Sequence, residues 1–195
     1  MAMPDEWTEI AYIAISDSDS NQYQFGALTD TMDISWGTRD IEAIATVNAG
    51  RVIKYIPDDM TEITLEMYPV GISSDDTPPN GVHDWFLGLS APTLDSGINS
   101  YLRKKFRVAI LWTDLAKASV TDAAGAIAGS SSFRVSFWNC YMTGASLDFT
   151  DDILKCTVVF KCPPFNKSGS GLIKIEQEDT ADLATLGDYT GAVPS

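Results

Sequence analysis

The residues able to do chemistry are few and scattered. His83 is the single histidine among 195 residues, and no dense set of Cys, Asp or Glu surrounds it in the chain to make it a metal ligand. Its neighbours Asp84 and Trp85 suit packing on a short helix. Paired carboxylates can cleave glycosidic bonds, but Glu62 and Glu66 share one face of one predicted strand, and Asp151 and Asp152 occupy a tight turn. Neither pair sits in a specifying motif. Cys140, Cys156 and Cys162 lack the close spacing of a metal site. Cys156 and Cys162 share a strand face, and the three cysteines read as reduced, buried thiols ahead of a disulfide framework. No phosphate-binding loop, dinucleotide fingerprint or metalloprotease helix occurs. The expectation is a protein that is not an enzyme, with no catalytic residue, no cofactor and no metal.

Charge narrows the classes further. Twenty-seven acidic residues face 13 basic ones, for a formal net charge of -14. Wrapping nucleic acid requires a basic footprint, which this balance excludes. A lumen along which DNA slides without sticking is compatible with it, as is plain solubility in a salty medium. The aspartates gather in runs such as Asp17-Ser18-Asp19-Ser20, Asp58-Asp59 and Asp75-Asp76, which read as turns and lack the spacing of a calcium loop. The acidic start Met1-Ala2-Met3-Pro4-Asp5-Glu6 lacks a secretion-signal pattern. No run reaches the ~18 apolar residues of a membrane span. Synthesis in the cytoplasm, with no membrane span, is the expectation.

The elements that would position any site are strands. Residues 7–15 alternate apolar and polar. Residues 34–47 alternate less cleanly, since alanine leaves a short helix open. Residues 51–56 follow as a strand closed by Pro57-Asp58-Asp59. The clearest alternation is residues 61–68, with Ile63, Leu65 and Met67 on a core face and Glu62, Thr64 and Glu66 on the other. The turn between these two strands predicts that 51–56 pairs with 61–68 as a hairpin. Residues 73–81 form a polar loop, and residues 82–88 suit a short helix ending at glycine. Residues 105–112 form a strand whose Phe106, Val108, Ile110 and Trp112 share a face. Residues 114–129, rich in Ala and Gly, suit a short helix and a loop. Strands at 132–141, 146–150 and 153–162 follow, the last two predicted to pair through Asp151-Asp152. Cys156, Val158 and Phe160 take the core face. Lys155, Thr157, Val159 and Lys161 take the other. A short final strand at 172–176 precedes an acidic tail that suits an arm ordering on a neighbour, or a free terminus.

Three blocks carry a family resemblance: residues 34–57, running Ile34-Ser35-Trp36-Gly37 through Tyr55-Ile56-Pro57; residues 107–113; and residues 145–165, ending Lys161-Cys162-Pro163-Pro164-Phe165. Together they cover much of the chain, which resembles the major tail tube proteins of long-tailed viruses. The resemblance implies a mainly β, tail-tube-like β-sandwich with a short flanking helix and extended assembly loops. It implies one tube-forming domain over residues 1–195 with N- and C-terminal assembly arms. Such subunits form six-membered rings that stack into a hollow virion tail tube, assembled in the host cytoplasm. A length-determining protein, a terminator and baseplate proteins are implied as partners, and DNA passes through the lumen without specific binding. The alternatives are the inner tube of a contractile injection apparatus, a tail terminator or connector ring, and a carbohydrate-binding β domain.

Within that reading, the candidate lumen face is Glu62, Thr64, Glu66, Asp148, Lys155, Thr157 and Lys161. The candidate core or seam residues are Trp36, Ile63, Leu65, Met67, Trp85, Trp112, Trp138, Cys156, Val158 and Phe160. Met32, Met60, Met67 and Met142 read as packing or turn residues.

Overall fold

The computed structural model describes residues 10–17, 22–28, 32–38, 41–45, 51–55, 59–69, 105–115, 120, 122–129, 131–150, 153–178 and 181–187. Ten strands run through them: β1 Ile10–Asp17, β2 Gln22–Leu28, β3 Met32–Ser35, β4 Ile41–Ala45, β5 Arg51–Tyr55, β6 Thr61–Pro69, β7 Lys105–Thr113, β8 Ser132–Thr150, β9 Ile153–Cys162 and β10 Ile173–Glu178. The fold is mainly β, and all described strand pairs are antiparallel.

Eight strands belong to one hydrogen-bonded sheet in the order β10-β8-β7-β1-β2-β6-β3, and β9 bridges β6 and β8. The path β8-β7-β1-β2-β6-β9 therefore returns to β8, and the sheet closes on itself. Closure depends on the 19-residue β8. Its first half pairs with β7 and its second half with β9. Two irregularities bend it between these duties. Opposite Arg107 the pairing shifts between Phe106 and Val108, leaving Trp138 and Asn139 against a single β7 residue. Asn139 takes a φ of 56° there, a left-handed conformation that asparagine tolerates better than most side chains. A second shift falls between Met142 and Gly144. Each extra residue kinks the strand and raises its twist.

The interior follows from alternation. Ala11, Ile13 and Ile15 of β1, Tyr23 and Phe25 of β2, Ile63, Leu65 and Met67 of β6, Phe106, Val108 and Ile110 of β7, and Cys156, Val158 and Phe160 of β9 form one buried cluster. The opposite face of β1, β7 and β8 builds a second cluster. There Ala14, Leu111 and Trp138 pack under Ala123, Ala124, Ile127, Leu183 and Leu186. Part of the acidic tail thus lies on its own barrel. The backbone of Ile127 and Leu183 exchanges two hydrogen bonds, and Leu186 N–H donates to Ala124 O.

Two fully buried arginines hold that tail. Arg107 donates to Leu186 O, Gly187 O and Gln22 Oε1 at 3.5, 2.6 and 2.6 Å. Arg134 donates to Gly125 O, to Ala184 O and to Glu176, whose carboxylate lies 2.9 Å away. A buried guanidinium is tolerable only when its donors find acceptors. Breaking such a set by removing one partner costs roughly 3–5 kcal/mol.

Two expectations change. The strand at 51–56 does not pair with 61–68: β5 pairs with β4, from Ile41↔Tyr55 to Ala45↔Arg51. Instead β6 lies between β9 and β3, where Ile63 and Leu65 meet Phe160 and Val158 in strict register. The run Arg51-Val52-Ile53-Lys54-Tyr55 lacks the clean alternation needed to match β6, whereas β9 has it. Of the short helix and loop expected over 114–129, residues 122–129 form a turn at Ala123-Ala124 and a bridge at Ile127, and residues 116–119 and 121 lie outside the described residues. The short helix expected at 82–88, with His83 and Trp85, lies outside the described residues. Finally, the cysteines are not all reduced: Cys140 and Cys162 form a disulfide. The bend in β8 sets Cys140 beside Tyr141, which pairs with Lys161, so the two cysteines meet across the strands.

The bridge spans 22 positions, and such a loop closure stabilises the fold by about 3 kcal/mol in the chain-entropy model. Burial pushes the remaining Cys156 thiol up to about 12, so it stays protonated at neutral pH. Thiol titration should detect one reactive group per chain after denaturation without reductant, and three with reductant. The native protein should react negligibly at pH 8. Three thiols without reductant would contradict the pairing.

Candidate inner-wall face

Strand alternation places the polar residues of β6 and β9 on one surface. The direct partners are Glu62↔Lys161, Thr64↔Val159 and Glu66↔Thr157. On the far side of β9, β8 contributes Tyr141 opposite Lys161, Gly144 opposite Val159, Ser146 opposite Thr157 and Asp148 opposite Lys155. On the far side of β6, β3 adds Ser35 opposite Glu62 and Asp33 opposite Thr64. Directly opposed residues in an antiparallel ladder project to the same side. Six of the seven residues singled out by sequence, Glu62, Thr64, Glu66, Lys155, Thr157 and Lys161, therefore occupy one face of two adjacent strands, and Asp148 is the β8 register partner of Lys155. They reach it through β6–β9 pairing, not through two hairpins laid side by side.

The face is electrostatically balanced at its lysines. Lys161 Nζ lies 3.1 Å from Glu62 and Lys155 Nζ lies 3.0 Å from Glu66. The Glu62 and Lys161 side chains are each 46% exposed, so that pair contributes at most ~1 kcal/mol. Its consequence is for charge presentation. Each ammonium is offset by a neighbouring carboxylate, and Asp33 adds a further exposed acid. A phosphate meeting this surface finds no uncompensated lysine among these residues.

The other side of the layer is apolar. Ile63, Leu65, Met67, Cys156, Val158 and Phe160 are fully buried, with Phe106 meeting Phe160 edge-on at 5.6 Å between ring centroids. Trp138 is 2% exposed and belongs to the second cluster, while Trp112 is half-buried against Phe133. Trp36 is 49% exposed and lies over Phe137 at 5.9 Å. Trp85 lies outside the described residues.

The four-stranded layer β3-β6-β9-β8 has two lateral boundaries. One is β3, paired only with β6. The other is β8 beyond Tyr141, where pairing with β7 has ended and only β9 remains. Among the described residues, both outer edges are unpaired. The edge of β10 differs because Lys174, Glu176 and Glu178 line its six residues, and charged edges resist further pairing.

No group of three or more His, Cys, Asp or Glu that could hold a metal exists among the described residues. No described helix is long and apolar enough to cross a membrane. The sequence pattern missed β3 and the free half of β8 as edges. Edges are properties of neighbour order, which alternation does not encode.

The division between the two faces should appear in stability. Phe160→Ala should cost about 3–5 kcal/mol, as for other buried aromatic truncations, and Lys161→Ala at most ~1 kcal/mol. Urea unfolding of the two variants measures both. A comparable loss for each would contradict the assignment of faces.

No protein-family profile and no curated protein sequence matches the chain. Solved structures do. A chain of the anti-feeding prophage baseplate is similar at 10% identity and a TM-score of 0.46, covering 94% of this chain and 98% of that one. A chain of the PVC sheath-tube complex, an extracellular contractile injection system, is similar at 12% identity and a TM-score of 0.40, covering 85% and 88%. Hcp1 from Flavobacterium johnsoniae is similar at 9% identity and a TM-score of 0.34, covering 87% and 99%. The chain is thus similar along most of its length to components of contractile injection apparatus and to an Hcp protein.

Proposed function

We propose that this chain is a structural, non-catalytic subunit that closes into rings and stacks into a hollow tube, as in a phage tail or the inner tube of a contractile injection apparatus. One observation carries the reading. A four-stranded layer has a buried apolar side, a charge-balanced polar side and two lateral edges that no described strand pairs. Pairing β3 of one copy with the free half of β8 of the next would remove both edges at once. Repetition by rotation closes a ring and turns the polar side into a continuous inner wall. Six copies per ring, a single domain over residues 1–195 and arms from residues outside the described set belong to the same proposal.

In this reading Glu62, Thr64, Glu66, Asp148, Lys155, Thr157 and Lys161 face the lumen. The wall would pass a polyanion without holding it, because its lysines are already offset by carboxylates. The inner tube of an injection apparatus and a genome-conducting virion tail share such a wall. They part on the outside, where an inner tube must offer a sheath-binding surface. We take the injection apparatus first; the similar structures named above set that order of testing and nothing more. Terminator and baseplate proteins are the expected partners in either setting.

Thr157→Cys offers a direct test of the wall. In dispersed subunits the new thiol should react with a maleimide carried on a bulky polymer. In assembled tubes it should react only with a small maleimide. Cys156 beside it is buried and its raised pKa keeps it protonated, so the background is low. Equal labelling by the bulky reagent in both states would contradict a lumenal position.

A further inference from the structure

The Cys140–Cys162 bond occupies one particular place, the corner where β8 leaves β7 and continues with β9. Tyr141 is the last β8 residue paired with β7 and the first paired with β9, where it faces Lys161. Each of these two residues is next in sequence to a bridged cysteine. The regular ladder is interrupted here. Trp138 and Asn139 stand against the single residue Arg107, and Asn139 is left-handed at a φ of 56°. Trp138 N–H donates to Leu172 O at 2.8 Å, and Leu172 N–H donates to Pro164 O at 2.9 Å. A bulge disrupts the ladder and bends its strand, so the disulfide is a covalent tie across a locally weakened corner.

Both cysteines are fully buried, but their neighbours in sequence are not. Asn139, Tyr141 and Pro163 line an open cavity of about 630 Å³ together with Met60 and Phe165. Met60, Tyr141 and Phe165 are three of the five exposed large hydrophobic side chains among the described residues. The bond therefore fixes the backbone on which this exposed surface is mounted.

The corner also sets where the second half of β8 lies. That half supplies one lateral edge of the polar layer, and no described strand but β9 pairs with it. The strands behind it hold together without the bond. β9 pairs with β6 from Thr61↔Cys162 to Met67↔Cys156, over fully buried Ile63, Leu65, Val158 and Phe160. Opening the bond should free the corner and leave this core in place.

We infer that Cys140–Cys162 is a redox latch on the corner. Closed, it holds the β8 edge where a ring can close. Open, it leaves a folded subunit that does not close. The inference rests on the tube reading and names how that edge is regulated. In the closing step the two thiols lose two protons and two electrons to a small disulfide such as glutathione disulfide, which leaves as two glutathione thiols. Exchange depends on access to the sulfurs, and both cysteines are buried, so the corner must open before the bond can form or break. The state set during folding is therefore kept afterwards. The latch records whether the chain folded in reducing or oxidising surroundings.

Refolding under two redox conditions tests it. One sample is refolded with glutathione disulfide and a second with excess dithiothreitol. A third, Cys140→Ala with Cys162→Ala, is refolded with glutathione disulfide. Electron microscopy and sedimentation read ring formation, and circular dichroism reads the strands. The oxidised sample should form rings. The other two should keep the strand signal and stay dispersed at the same concentration. In the reduced sample N-ethylmaleimide should modify Cys140 and Cys162 in native buffer and spare Cys156. Rings from either bond-free sample, or Cys140 and Cys162 as unreactive as Cys156, would overturn the latch and leave the tube reading intact. Loss of the strand signal in the reduced sample would also overturn it, because the bond would then support the whole fold. No rings from any sample would sink the tube reading, and this inference with it.

Discussion

A strand can hydrogen-bond to two neighbours at any point, yet β8 serves three. It lies between β10 and β7 over its first residues, then leaves both to pair with β9. The two register shifts and the left-handed Asn139 make that possible, because each lets the strand turn without inverting its faces. Phe137, Cys140 and Met142 keep to the inner side across the first shift, and Ala145 packs against the same cluster after the second. Without the bend the sheet would run open, Cys140 would not meet Cys162, and β9 would have no route to β6. Beyond Tyr141 no described strand but β9 pairs with β8, and that side supplies one of the two edges from which a ring could be built.

The two sides of the closed sheet solve different problems. The inner cluster is held by apolar alternation alone. The outer face of β1, β7 and β8 is covered by chain that has little apolar surface of its own. There, Arg107 and Arg134 act as fixed forks that each give donors to backbone carbonyls, those of residues 186 and 187 for Arg107 and of 125 and 184 for Arg134. Carbonyl groups are sequence-independent acceptors. An acidic, weakly patterned segment can therefore be anchored without any motif of its own.

Legibility in the sequence divides along the same lines. The strictly alternating strands β6 and β9 were readable, as was the β8–β9 hairpin, whose strands are joined by two residues. The polar face was readable too: Glu62 and Lys161 project away from the core whichever strands flank them. Their direct pairing was not readable, because it joins strands nearly a hundred residues apart. The same limit hid the true partner of β5. The disulfide was hidden because it depends on a bend that only the register reveals. The docking of Leu183 and Leu186 was hidden because its cause lies in arginines on distant strands.

The central claim is that β3, β6, β9 and the second half of β8 form the wall of a tube. High-resolution electron cryo-microscopy of the assembled protein measures this most directly. The account predicts stacked rings around a hollow axis, with Glu62, Thr157 and Lys161 facing the lumen and β3 of each copy hydrogen-bonded to β8 of its neighbour. A lumen lined by β1, β2 or β7, or copies joined through β10, would contradict it.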